Sequence, residues 1–352
     1  MTEQFSPISR RDILAAGGAA IAASAFPMPA IAQSLTELHI GSANSSSDVS
    51  IFLADKKGWF KEERISIKTS TFNSAANMVA PLGAGQLDIG GGSVSAGLYN
   101  AVSRGIKLRI VADKASSQPG YGVNKCLIAK RHVDSGRYKE LKDLKGMKVG
   151  MNGPGNSSWG SMWGALKLAG LKLSDVETVD MSYPDHVLAF QNNSLDASFT
   201  TEPSGTVAIM KGLAVEATSD DKTRPYHAIA QILFSEKMAS NRDLAVRFMR
   251  AYLRAARYYH GALKDGRMAG DNAEEIIQVL TEYTPIKDPQ VYRTIVPNGI
   301  DPDGRVNIPT LKEDYEVYKM QGWIEGAATV EDVLDMSFVE AAVKDLGPYK
   351  RG

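Results

Sequence analysis

Two glycine-rich turns stand out for what they could bind. Gly90-Gly91-Gly92-Ser93 and Gly153-Pro154-Gly155-Asn156-Ser157-Ser158 each lie between a strand-like and a helix-like stretch. Glycine lets a ligand come close to the main chain, and free amides at a helix start favour negative or electron-rich atoms. Ser157 or Ser158 can cap the helix and also donate to a ligand. A plain turn is the competing reading of the second stretch. Thr200-Thr201-Glu202-Pro203 ends another strand-like run. Glu202 can accept hydrogen bonds from an amine or hydroxyl, or cap the helix begun at Pro203, or do both. Tyr183 and Asp185 flank Pro184, and Asn44-Ser45-Ser46-Ser47 precedes Asp48. These read equally as binding groups or as solvated turn residues. The candidate ligand-binding residues are thus Asn44, Ser46, Asp48, Gly91, Gly92, Ser93, Asn152, Gly155, Asn156, Ser157, Ser158, Tyr183, Asp185, Thr201 and Glu202.

Catalytic signals are poor by comparison. His39, His132, His186, His227 and His260 are scattered, with no HxxH spacing. Cys126, the single cysteine, sits in an apolar run where a buried inert thiol is the better reading. Neither a GxSxG elbow nor a GxxxxGK[ST] phosphate loop occurs. The expectation is a binding protein with no catalytic residue, no metal site and no cofactor. The five candidate loops carry Asp48, Asp185 and Glu202 but no Lys or Arg. A neutral, hydrogen-bond-rich or amine-bearing solute fits them best. An anion would depend on helix N-termini, or on Lys114 and Lys125 nearby. Trp159, Tyr121, Tyr183 and Phe199 could stack on a ring, although Phe199 suits the core better.

The elements that must hold these residues follow from periodicity. Leu87-Asp88-Ile89-Gly90 and Leu195-Asp196-Ala197 are matching short strands, each after an amphipathic helix and before a loop of small or polar residues. Strand ends that open onto helix N-termini are where α/β sheets bind ligands. Further strands are predicted at Leu38-His39-Ile40, 65–71, 108–112, 126–129, 148–151, 176–180 and 197–200, with helices between them. Such alternation calls for mixed, mostly parallel sheets covered by helices. Residues 113–124 lapse into Ser, Gln, Pro and Gly and read as a crossing to a second lobe; 226–233 reads as the return. The last third is helical, with Leu244, Phe248, Met249, Tyr252, Ala256 and Tyr259 on one stripe of a long helix. That block is expected to pack on the first lobe. The expected organisation is lobe 1 from 35–115 plus 232–350 and lobe 2 from 116–231, with a hinge of two crossing segments.

Composition agrees with a globular two-lobed protein. The 352 residues include 40 basic and 40 acidic side chains, which gives no support for nucleic acid as a partner. Ser9-Arg10-Arg11-Asp12-Ile13-Leu14 is a twin-arginine start, followed by an Ala/Gly-rich apolar run and Ala30-Ile31-Ala32 as a cleavage site. Residues 1–32 therefore read as a twin-arginine signal peptide that directs a folded protein to the periplasm.

The chain resembles the periplasmic substrate-binding proteins of the nitrate/sulfonate/taurine ABC transporter class, which includes thiamine-biosynthesis-like pyrimidine-precursor binders. The resemblance is carried by Phe52-Leu53-Ala54-Asp55-Lys56-Lys57-Gly58-Trp59-Phe60 and Leu82-Gly83-Ala84-Gly85-Gln86-Leu87-Asp88-Ile89-Gly90. Leu141 to Gly150 and Leu195-Asp196-Ala197 with Glu202-Pro203 continue it. It implies a type II periplasmic-binding-protein fold that closes on a small-molecule solute. It also implies an ABC transporter permease as partner and a monomeric receptor. Two rival roles exist on this fold: an enzyme acting on a pyrimidine or aromatic precursor, and a subunit that presents ligand to a sensor.

Overall fold

A computed structural model describes Met1 and residues 34–350. The twin-arginine stretch lies outside the described residues. From Leu35 onward the chain forms one compact unit, and within it are two five-stranded sheets.

The strands are β1 (Thr36–Ser42), β2 (Ile65–Thr71), β3 (Ile89–Gly92), β4 (Arg109–Ser117), β5 (Asn124–Ala129), β6 (Lys148–Met151), β7 (Glu177–Asp180), β8 (Ala197–Thr201), β9 (Ala214–Ser219) and β10 (His227–Phe234). The first sheet has the order β2-β1-β3-β10-β4 and the second β7-β6-β8-β5-β9. The two orders are equivalent. In each, the fourth strand alone runs against the other four.

The repeated Leu-Asp pair has the same job in both sheets. Asp88 accepts a hydrogen bond from the His39 amide at 2.9 Å, and Asp196 accepts one from the Lys148 amide at 3.1 Å. The amide of each Asp donates back to the carbonyl of the same neighbour, at 2.9 Å in both cases. Each leucine covers a glycine on that neighbouring strand. A Cβ on Gly41 would sit 2.8 Å from Leu87 Cδ1, and one on Gly150 would sit 2.6 Å from Leu195 Cδ1. The pair therefore fixes where the third strand enters each sheet.

The main helices are α1 (Val49–Lys56), α2 (Ala96–Ser103), α3 (Ser157–Leu168), α4 (Tyr183–Gln191), α5 (Ser204–Met210), α6 (Arg242–Gly261), α7 (Ala273–Tyr283), α8 (Ile308–Met320) and α9 (Ser337–Leu346). The apolar stripe of α6 is buried as its spacing predicts, and Phe248 stacks on Phe60 and Tyr252. Each such side chain removed from water contributes about 1.5–3 kcal/mol. Helices α6, α7 and α9 cover the first sheet together with α1.

Three expectations need correction. First, β4 does not stop near 112 but runs through Asp113, Lys114 and Ser116 to Ser117. Asp113 and Ser116 are held by tertiary partners. Asp113 accepts from the Asp301 amide at 2.8 Å, and the Ser116 amide donates to Gly299. Second, residues 226–233 are no mere crossing. They form β10, which inserts between β3 and β4, so the first sheet reaches past both expected lobe boundaries. Third, α8 is not confined to the first sheet: it packs on β10 and also on α3 of the second-sheet side.

Candidate functional site

A cavity of about 730 Å³ opens between residues of both sheets. Its walls come from the carboxyl ends of parallel strands. On the first-sheet side these are Asn44 to Ser47 after β1, Phe72 to Asn77 after β2, and Gly92, Ser93 and Ser95 after β3. On the second-sheet side they are Asn152 to Pro154, Asn156 and Ser157 after β6, Ser182 to Pro184 after β7, and Thr201 and Glu202 at the end of β8. The strands near the two crossings add Lys114, Ala115, Asn124, Ile229 and Ala230. Six parallel strand ends thus converge on one space, the arrangement that concentrates loops and helix N-termini around a solute.

Ten of the predicted residues line this space: Asn44, Ser46, Gly92, Ser93, Asn152, Asn156, Ser157, Tyr183, Thr201 and Glu202. Five do not. Asp48 is buried behind the wall, where it accepts from Ser42 Oγ at 2.9 Å and pairs with Lys114 at 2.9 Å. Gly91 is paired with Ile232 in the sheet, and a Cβ there would press on Lys114. Gly155 has φ +61 and gives its carbonyl to the Ala96 amide at 2.9 Å, so it joins one wall to the other. Ser158 turns inward and donates its hydroxyl to Asn156 Oδ1 at 2.6 Å. Asp185 is exposed and accepts from Ser182 Oγ at 2.5 Å.

Local chemistry explains why the buried charges at the cavity wall are not free. Asn156 is the N-cap of α3, accepting from the Ser158 amide at 3.0 Å. The Ser157 amide donates to Ser93 Oγ across the cavity mouth at 2.8 Å. The first amides of α3 are therefore occupied by side chains of the protein itself, which weakens the anion-site reading of this helix start. Lys114 reaches the wall from β4, but Asp48 and Ser47 Oγ hold its ammonium at 2.9 and 2.7 Å. Glu202 is 1% exposed and does act as a cap, accepting from the Thr206 amide and hydroxyl at 2.9 and 2.8 Å. Lys125 stands 3.5 Å from it and 2.7 Å from Glu216. Burial alone would lower the Lys125 pKa; the two carboxylates outweigh burial and raise it. Each buried charge at the wall thus has a partner inside the protein.

Several lining residues were not foreseen. The Phe72 to Asn77 loop follows β2 at the same edge as the others, and its polar run after an alternating strand was the available signal. Trp323 lines the cavity, with Asn100 Nδ2 donating to its carbonyl at 2.8 Å. It comes from the C-terminal block, where no local pattern marks it. Trp159 instead supports the loop, donating its indole N–H to the Gly153 carbonyl at 2.7 Å and meeting Trp323 edge-on. Tyr121 and Phe199 do not line the cavity, and Phe199 is core. The Cys126 thiol is buried, which pushes its pKa to about 12. Among the described residues no group of three His, Cys, Asp or Glu could hold a metal, and no helix is long and apolar enough to cross a membrane.

Residues 32–281 match the NMT1-like family. The chain belongs to that family. A protein of Brucella abortus (strain 2308) that carries a binding-protein name is 27% identical over 282 residues, 78% of each chain. The nitrate-binding protein NrtA from Synechocystis PCC 6803 shares the fold with TM-score 0.71 at 14% identity, over 89% of both chains. The alkanesulfonate-binding protein SsuA from Xanthomonas axonopodis pv. citri, solved with MOPS, gives TM-score 0.68 at 17% identity, over 86% of this chain and 99% of its own. The fold of this NMT1-like chain is thus that of periplasmic binding proteins, with two mixed sheets flanked by helices.

Proposed function

We propose that this NMT1-like protein is an extracytoplasmic receptor that captures a small solute and hands it to an ABC importer. The observation that carries this reading is a cavity walled by equivalent strand ends of two equivalent sheets. Solute that touches both walls favours the closed arrangement, and only its extra affinity for that arrangement drives closure. The first sheet with the C-terminal helices acts as one lobe and the second sheet as the other, joined near 117–124 and 219–227. The names of the structural neighbours support a permease as partner and a periplasmic location, reached through the twin-arginine start. The receptor acts as a monomer and performs no chemistry on its solute.

The wall chemistry favours an uncharged polar solute over nitrate or a sulfonate. Asn44 and Asn152 with Ser46, Ser93, Ser157 and Thr201 offer donors and acceptors, and Tyr183 and Trp323 offer ring faces. With Lys114 internally neutralised, the described residues that line the cavity present no free cation to an anion. A Kd near ~1 μM corresponds to about 8 kcal/mol. Solute at a hundred times Kd then raises Tm by about 4 °C for a chain of this size. Melting curves with nitrate, alkanesulfonates, aromatic acids, amines and uncharged pyrimidines test this, together with mass spectrometry of whatever co-purifies. Stabilisation only by the anions would refute the uncharged-solute reading. Turnover of a stabilising compound would favour the enzyme alternative.

A further inference from the structure

A buried charged cluster lies away from the cavity wall, on the flank of α3. Arg224 Nη1 is 2.5 Å from Asp314 Oδ1, and His227 Nε2 is 2.8 Å from Asp314 Oδ2. The other imidazole nitrogen faces Asp220 at 3.6 Å. Arg224 Nη2 also donates to the Thr310 carbonyl at 3.0 Å and to Glu313 at 2.9 Å. Arg224 and Asp314 are no more than 5% exposed, and His227 is fully buried. These groups come from three places: the return crossing (Asp220, Arg224), the start of β10 (His227) and α8 (Glu313, Asp314).

Helix α3 is shaped to admit them. Gly160 and Gly164 are one turn apart and face the cluster. A Cβ on Gly160 would run into both the Asp314 carboxylate and the Arg224 guanidinium, and one on Gly164 would meet the Arg224 side chain. Between them, Ser161 Oγ donates to Asp220 at 3.4 Å. The same helix begins at Ser157, whose amide meets Ser93 at the cavity mouth. Its ligand-facing end is thus one turn from a charged anchor in the return crossing.

The two ends resist separation very differently. The contacts at the mouth, Ser157 with Ser93 and Gly155 with Ala96, are uncharged and border a cavity that water can fill. Parting α8 from the return crossing and β10 would break the Arg224–Asp314 and His227–Asp314 pairs and leave buried charges without partners, the costlier event. We propose that Arg224, His227 and Asp314 form a hinge-side latch that fixes the return crossing to α8, with α3 packed against it through Gly160 and Gly164, and so limits how far the two sheets part. This rests on the closure reading of the proposed function and names what regulates it.

The test uses the whole protein and no solute. Spin labels at Lys68→Cys and Lys211→Cys, exposed sites beside the first and second sheets, report the distance between them; native Cys126 is too buried to label. The intact latch is expected to give one narrow distribution. Gly160→Ala, which leaves every cavity-lining side chain in place, is expected to broaden it and add a longer distance. Should Gly160→Ala not fold, Arg224→Lys carries the same expectation, since it keeps the charge but loses the second arm. An unchanged distribution in a folded variant overturns the latch and leaves the solute-receptor reading standing. A broadened distribution in a protein that no solute stabilises supports the latch and counts against that reading.

Discussion

Lys114 and Asp48 neutralise each other where water barely reaches, at 1% and 0% side-chain exposure. Lys114→Met would leave the Asp48 carboxylate uncompensated and should cost about 3–5 kcal/mol in urea unfolding. Adding Asp48→Asn should recover most of that loss. If the single and double variants unfold alike, the pair is not the source of the effect. Asp113 makes a prediction about pH. Burial raises its pKa to about 7, against the hydrogen bonds from Asp301 and Ser116. The folded value lies above the unfolded one, so the stabilisation is complete below about pH 4 and is lost as pH climbs through about 7. Between pH 5 and pH 8 the protein should lose about 2–3 kcal/mol, and Asp113→Asn should flatten that slope. Thermal melts across this range decide it. At this scale the sequence was a fair guide to small polar residues on loops. It misled where a side chain turned inward, as Ser158 does towards Asn156.

The Leu-Asp corners are the unit that both sheets share. Each aspartate satisfies an amide of the neighbouring strand, β1 in one case and β6 in the other. Asp88→Ala and Asp196→Ala should each cost about 1–3 kcal/mol, because the amide is left without its acceptor. The corners lie in different sheets, so the double variant should show the sum. Chemical denaturation of all three proteins checks this, and strong non-additivity would mean the sheets unfold as coupled pieces. The repeat was legible because a leucine, an aspartate and a stop in small residues are all short-range signals. β4 was not legible beyond residue 112, since Asp113, Lys114, Ser116 and Ser117 look like loop. The partners of Asp113 and Ser116 lie nearly two hundred positions away, at Asp301 and Gly299. No periodicity within a strand reports such a brace.

For the molecule as a whole, solute should draw the walls together. Small-angle scattering with and without the co-purified compound should show a smaller radius of gyration when it is bound. No change, alongside measurable binding, would mean that the cavity accepts its guest without closing. The two-sheet plan was readable from alternating strand and helix patterns and from the doubled corner. The path of α8 was not, because its seat on α3 depends on Gly160 and Gly164 making room for distant charges. Trp323 stayed hidden for the same reason: it reaches the cavity by tertiary packing alone.

The two sheets are completed in a fixed order along the chain. All five strands of the second lie between Asn124 and Ser219, so it has its full complement before β10 is translated. The first has only four until Phe234 has emerged from the ribosome. Until then β3 and β4 present bare edges on either side of an empty slot. A nascent chain arrested just short of that point would carry one finished half and one half still prone to pair with the wrong neighbour.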